Sequence, residues 1–233
     1  MYITYKNGKE HELIYDDIAH TYKVNDVKIP SVTRIIDACF EKNLTSWAIS
    51  IGDVEYHRII AEALEIGNYT HEWIERYIDE GHNYFGVDEP GNNNSIEAFL
   101  AWEEKFKPDW IDSERKVYCD KYQYAGTVDA VAKINGRVCV IDFKTSKKIY
   151  KPYHLQVAAY AQAIKRIDGL GQWPLGIILR LDKLTGEYEQ KVFEPKDHMS
   201  TFIKCLELRQ WSSLRIKNDK DKLESKNESV SNR

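Results

Sequence analysis

The sequence predicts an α/β (α+β) protein: a mixed central β-sheet flanked by helices, with a β-rich and helical extension at its N-terminus. Three observations predict it. Asn135-Gly136 stands between two apolar, β-branched runs, the pattern of a hairpin whose two turn residues both need positive φ. An Ala-rich stretch at 153–166 separates that hairpin from the buried-type run Ile177-Ile178-Leu179-Arg180-Leu181, far enough for a helical crossover to a parallel strand. Before Pro30, short aromatic and β-branched runs alternate with polar turn residues.

In chain order, residues 2–5, 13–15 and 21–24 read as strands, and Pro30 closes this section. Ser31 is placed to cap a helix through Ile35, Ile36 and Phe40. Leu44, Trp47, Ala48 and Ile51 recur at near-helical spacing, as do Ile59, Ile60, Ala63 and Leu64, with Gly52-Asp53 as a break. Gly67-Asn68 reads as a boundary, after which Thr70 caps a helix with His71, Ile74, Tyr77 and Ile78. Residues 81–94 read as loop. Ser95 starts a helix carrying Ile96, Phe99, Leu100 and Phe106, which Pro108 ends.

Residues 110–119 then form a strand that Asp120-Lys121 turns into the strand entering Gly126. Pro152 sits at a good first helical position for residues 153–166. Gly169-Leu170-Gly171 ends that helix. Strands at 177–181 and 188–193 follow, then a helix from about Lys196 to Leu214. From Lys217 onward Lys, Asp, Glu, Ser and Asn dominate without aromatics, which predicts a disordered tail. The expected division is an N-terminal lobe over 1–94, a core over 95–216 and a tail over 217–233.

Composition bounds the function. With 233 residues, 42% hydrophobic and 30% charged, the chain builds one ordinary core. Its formal charge of −4 argues against a stoichiometric nucleic-acid coat but not against an enzyme with a local basic channel. The four cysteines form no C-x-x-C pair, so neither a zinc framework nor an iron–sulfur cluster is expected. No signal peptide or long apolar run is evident, and the expectation is a cytoplasmic protein with reduced thiols and no membrane partner.

The hairpin carries the chemistry. With a two-residue turn, Ile134 faces Arg137, and Asp129 falls opposite Asp142, on one face with Thr127, Val131, Val140 and Lys144. The other face, with Ala130, Ile141 and Phe143, is expected to be the core side. Two carboxylates about 5 Å apart repel by about 3 kcal/mol at an effective dielectric of ~20. Lys144 is one offset; a hard divalent cation such as Mg²⁺ or Mn²⁺ is the other. A surface ion-pair cluster on a solvated sheet face is the alternative. An even-numbered turn before Gly126 places Glu114 opposite Thr127, making a three-carboxylate pocket with Lys144 beside it. Lys147, Lys148 and Lys151 follow the strand directly, as a phosphate path or as a solvated charge run.

Asp129, then Asp142-Phe143-Lys144-Thr145, then Gln156 and Tyr160 one helical turn apart, resembles the PD-(D/E)XK nuclease superfamily, and within it the RecB-like and phage exonuclease branch. Gly67-Asn68-Tyr69-Thr70-His71 resembles the upstream glycine-to-histidine motif of that branch. His20-Thr21-Tyr22 and Pro30-Ser31-Val32-Thr33 resemble the start of phage-encoded members. The resemblance implies a restriction-endonuclease-like core. It implies metal ligands at His71, Glu114, Asp129, Asp142 and the Phe143 carbonyl, and a catalytic lysine at Lys144. Gln156 and Tyr160 would orient the site or contact the DNA backbone, and Thr145, Ser146, Lys147, Lys148 and Lys151 would bind DNA. The expected activity is Mg²⁺- or Mn²⁺-dependent hydrolysis of DNA from ends or single strands, in recombination, repair or replication, in a bacterial host or phage-infected cell. A site-specific or structure-specific endonuclease, and a non-catalytic DNA-binding module, are the alternatives.

Overall fold

The computed structural model describes residues 1–40, 49–81 and 94–231, with side chains described as far as 213. Leu44, Trp47 and Ala48, expected to be helical, lie outside these residues, as does most of the expected 81–94 loop.

Two sheets organise the chain. Strands β1 (Tyr2–Thr4), β2 (Glu10–Asp16), β3 (Thr21–Val24) and β4 (Val27–Ile29) form an antiparallel meander in chain order. The central sheet has the order β5 (Asp109–Cys119), β6 (Tyr124–Ile134), β7 (Arg137–Lys144), β8 (Leu175–Leu181) and β9 (Tyr188–Phe193). All its pairings are antiparallel except β7 with β8, which is parallel. The helices are α1 (Val32–Asp37), α2 (Asp53–Asp79), α3 (Asn94–Phe106), α4 (Lys151–Ile167) and α5 (Lys196–Ser231). Among the described residues, no helix is long and apolar enough to cross a membrane.

The hairpin forms as its turn chemistry requires. Asn135 and Gly136 have φ of 50° and 76°, and Ile134 pairs with Arg137. Ladder pairing runs to Ala130 with Ile141, and the next residues on each strand are Asp129 and Asp142. The crossover from β7 to β8 is α4, with Pro152 in its first turn.

Both faces of the hairpin are buried, as a sheet flanked by helices requires, which excludes the alternative of a surface ion-pair cluster on a solvated face. Ala130, Ala132, Cys139, Ile141 and Phe143 pack against Trp73, Ile74 and Tyr77 of α2 and Phe99 and Trp102 of α3. Val131 and Val140, on the Asp face, are fully buried in a second cluster with Leu155 and Ala159 of α4, Phe202 of α5 and Leu13 of the meander. The physical reason is the parallel β7–β8 pair: its crossover helix must lie over one face and covers it.

The meander is stitched to the central sheet. Ala125 N–H donates to the Pro30 carbonyl at 3.1 Å, and Ser31 makes a parallel bridge to Ala125. Ser31 also caps α1, its Oγ accepting the Arg34 N–H at 3.2 Å.

Three expectations are corrected. Helix α2 runs unbroken through Gly67-Asn68, and Thr70 lies inside it, its hydroxyl donating to the Ile66 carbonyl at 2.7 Å. A glycine within a helix costs about 1 kcal/mol relative to alanine. Gly67 lies against Thr145, whose Oγ1 would stand 3.4 Å from a Cβ placed there, an ordinary contact distance. The β5–β6 turn is four residues (120–123), not two, closed by Gln123 at φ 54°. Lys116, not Glu114, therefore pairs with Thr127. Finally, the backbone of α5 is helical to Ser231, through the segment expected to be disordered. Lys, Glu and Leu favour helix intrinsically, and a helix already anchored at its first turns extends without a new nucleus.

Candidate active site

The site lies where the β6–β7 ladder opens. Glu114 has φ 42°, an uncommon conformation for a non-glycine residue, between the Ser113–Ala130 and Arg115–Val128 pairs. That register brings it beside Asp129. The longer turn kept the even parity, so Glu114 stays on the expected face with a different neighbour. His71 reaches the same place from α2. Ligand atoms of His71, Glu114 and Asp129 all lie within 4.8 Å of one another. His71 Nδ1 stands 3.7 Å from Asp129 Oδ2, and that oxygen also accepts the Phe143 N–H at 2.8 Å. A strand residue's N–H and C=O point to the same neighbour, so the Phe143 carbonyl is directed towards β6 as well.

Asp142 belongs to a different arrangement. Among the described residues, ligand atoms of His71, Glu114 and Asp129 form one close group, and Asp142 stands beside it, paired with Lys144. Asp142 is completely buried and lies 2.7 Å from Lys144 Nζ. This contact is short enough for an ion pair but not aligned as a hydrogen bond, since both Asp142 oxygens lack an aligned partner. Burial raises the Asp142 carboxyl to about 7, Lys144 pulls it down and Asp129 pushes it up. For Lys144, burial lowers the pKa, but Asp142 and Asp129 outweigh it and the net shift is upward. Glu114 is pushed up to about 7, first by burial and then by the Asp129 charge. Two carboxyls held near neutrality around an oxygen-rich, histidine-containing group are what a divalent cation would relieve, so the donor set fits such an ion.

Helix α4 backs the site. Gln156 Nε2 donates to Tyr160 Oη at 3.3 Å. Tyr160 is buried, and burial followed by the Asp129 charge puts its phenol well above the usual range. Its ring lies so close to Gly126 that a Cβ at 126 would stand 2.6 Å from Cε1. Tyr153, one turn before Gln156, places its ring 5.0 Å from Lys144 Nζ. Sequence reading missed Tyr153, although Tyr153, Gln156 and Tyr160 share one helical face. It also missed Glu75 and Lys183, which no pattern marks.

Two cavities meet at this centre, sharing Glu75 and Glu114. One is a groove of about 1130 Å³ between α2 and the loop after β7. Tyr56, Ile59, Ile60, Ala63 and Leu64 line it on α2; Lys144, Thr145, Ser146, Lys147 and Lys183 lie among its other lining residues. Lys148 and Lys151, grouped with these in sequence, are exposed and do not line it. The other is a chamber of about 500 Å³ beneath the meander, reached by Tyr15, Tyr22, Lys116 and Tyr160.

A mixed sheet with a helical crossover carries acidic residues and a lysine at its open end, a donor set suited to metal-assisted hydrolysis of a phosphodiester. Comparison by sequence agrees: a family profile of the PD-(D/E)XK nuclease superfamily matches residues 93–226, and the chain belongs to that superfamily. Among curated proteins it is similar to mitochondrial genome maintenance exonuclease 1 of Xenopus tropicalis, 30% identical over 58% of this chain and 43% of that one. It is also similar to the protein of that name from Mus musculus, 29% identical over 58% and 44% of the two chains. The chain thus spans less than half the length of these relatives. A solved structure of a candidate exonuclease from Eubacterium rectale superposes with a TM-score of 0.43 at 16% identity, over 67% of this chain and 68% of that one.

Proposed function

We propose that this protein is a DNA exonuclease of the RecB-like branch, hydrolysing phosphodiester bonds at DNA ends or in single strands with Mg²⁺ or Mn²⁺. The observation that carries the reading is the His71, Glu114 and Asp129 group beside the buried Asp142–Lys144 pair, at the meeting of two cavities. The exonuclease names of the vertebrate relatives support it.

His71, Glu114, Asp129 and the Phe143 carbonyl would hold the cation. When bound, it would lower the pKa of a water and offset charge developing on the phosphate. Lys144 is held by Asp142 and by the Tyr153 ring, so its ammonium is fixed where the attacked phosphate's charge grows. Asp129 is held by the Phe143 N–H, which fixes its carboxylate beside His71. The Gln156–Tyr160 contact fixes the wall behind Gly126 and Thr127. The groove supports a single strand as substrate. Its apolar α2 residues suit bases and its lysines suit phosphates, whereas a duplex turns phosphates outward on both sides.

The test is cleavage of end-labelled linear single- and double-stranded DNA, and of closed circles, with and without Mn²⁺. The expected result is metal-dependent shortening of linear DNA and intact circles. Cut circles would replace the exonuclease by an endonuclease, and no cleavage of any DNA would remove the reading. Lys144→Ala and Asp129→Asn are each expected to lower the rate at least ~10³-fold. DNA binding should be nearly unchanged, and only Asp129→Asn should weaken metal binding.

A further inference from the structure

The chamber beneath the meander has a chemistry unlike that of the groove. Tyr15 and Tyr22 form its aromatic side, stacked with ring centroids 4.7 Å apart and 27° between planes. Tyr22 Oη is joined to Thr127 Oγ1 at 2.8 Å, and burial raises the Tyr22 phenol to about 12, so it stays neutral. Ser31, Thr33 and Thr127 supply hydroxyls. Asp17, Glu75 and Glu114 supply acids. Opposing them is Lys116, whose ammonium donates to the Glu114 carbonyl at 3.2 Å and lies 5.8 Å from the Tyr15 ring. His20 is tied to the Tyr15 hydroxyl at 2.9 Å. The groove shares Glu75 and Glu114 and adds Glu72, but sets three lysines, Lys144, Lys147 and Lys183, against them.

We propose that this chamber receives the terminal nucleoside of the strand being cut, and that Asp17 and Glu75 make it select an end with a free hydroxyl over one with a terminal phosphate. The inference rests on the nuclease reading and deepens it. Both cavities include Glu114, so a strand lying in the groove with its scissile phosphate at the His71, Glu114 and Asp129 group continues into the chamber. The part that continues is a sugar and a base. A base has an aromatic partner in Tyr15, and a sugar has hydroxyl partners in Thr33 and Thr127. A terminal phosphate would bring a further negative group among Asp17, Glu75 and Glu114, three carboxyls against the one ammonium of Lys116. Like charges brought together in a partly exposed site repel, weakened by screening but enough to discriminate between two ends. The chamber's volume of about 500 Å³ suits a ligand of one or two nucleosides rather than a longer segment.

The experiment uses one single-stranded oligonucleotide in four forms, with hydroxyl or phosphate at each end. Initial rates are measured with Mn²⁺, and binding is measured in EDTA by fluorescence anisotropy. Expected is a rate for the hydroxyl form at least ~10-fold above the phosphate form at one of the two ends, about what one like-charge contact produces after screening. The Asp17→Asn, Glu75→Gln double variant should cleave the phosphate form faster than the wild type does. That gain cannot come from misfolding. Equal rates at both ends, faster cleavage of a phosphate form, or an unchanged ratio in the double variant would each overturn the proposal. If no form is cleaved, the nuclease reading fails. The chamber then stands or falls on anisotropy alone, where tighter binding of a hydroxyl end supports it and equal binding overturns it.

Discussion

Strand β7 has two faces with opposite characters. Cys139, Ile141 and Phe143 enter an apolar layer with Trp73, Phe99 and Trp102, and the carboxylate that reaches its edge, Glu103, accepts hydrogen bonds from Tyr77 and Trp110. Val140 and Asp142 face the other way, under α4, where burial extends to a carboxylate without an aligned hydrogen bond. The contrast teaches how the strand carries a strained arrangement. A buried ionised group is unfavourable on its own, and persists only where its surroundings are held by other forces. The aromatic layer supplies that hold one residue away on each side.

Removing Lys144 attacks the strained face directly. Lys144→Ala should lower cleavage at least ~10³-fold, and because it leaves Asp142 buried without its cation, it should also destabilise the fold, more at pH 8 than at pH 5.5. Urea melts at the two pH values check this; an equal loss at both would mean the two groups are not coupled. Phe99→Ala attacks the other face. It should lower stability by about 3–5 kcal/mol while the folded fraction keeps its Mn²⁺ affinity, measured by calorimetry below the melt.

The third prediction concerns pH. Asp142 and Glu114 are each raised to about 7 in the fold, from ordinary values of 3.8 and 4.5. Between these limits the native state holds more protons than the unfolded chain, so metal-free stability should fall as pH rises from about 5 to 8. A cation held at Glu114 binds its deprotonated form, so the Tm increase on adding Mn²⁺ should be larger at pH 8 than at pH 5.5. A larger increase at the lower pH would contradict the site. The smallest effect belongs to Gly67→Ala, which should stabilise α2 by about 0.5–1 kcal/mol in thermal melts, since its Cβ meets Thr145 at ordinary contact distance.

Much of the apolar face was legible, because Asn135-Gly136 permits one register and alternation does the rest. The strained face was less so. Val131 and Val140 share a face with Asp and Lys, and that α4 covers them is a tertiary fact without a local signal. The Glu114 position was legible in parity only, since the turn at 120–123 is closed by Gln123 rather than by glycine. His71 was indicated by resemblance alone, because the Gly67-Asn68 break that seemed to separate it from the preceding helix does not form. Asp129 and Asp142 follow the last ladder pair as read, and Lys144, the offset the sequence offered, lies 2.7 Å from Asp142.

The stitch between Pro30 and Ala125 has a consequence for how the molecule comes into being. It joins segments far apart in the chain, and Gly126, Thr127 and Asp129 follow it at once. Long-range closures form late, since the chain must be confined before the contact rewards it. During synthesis the meander emerges first and has to wait for β6 before it can dock. The nascent chain therefore carries an unfinished candidate site until the hairpin and α4 are made.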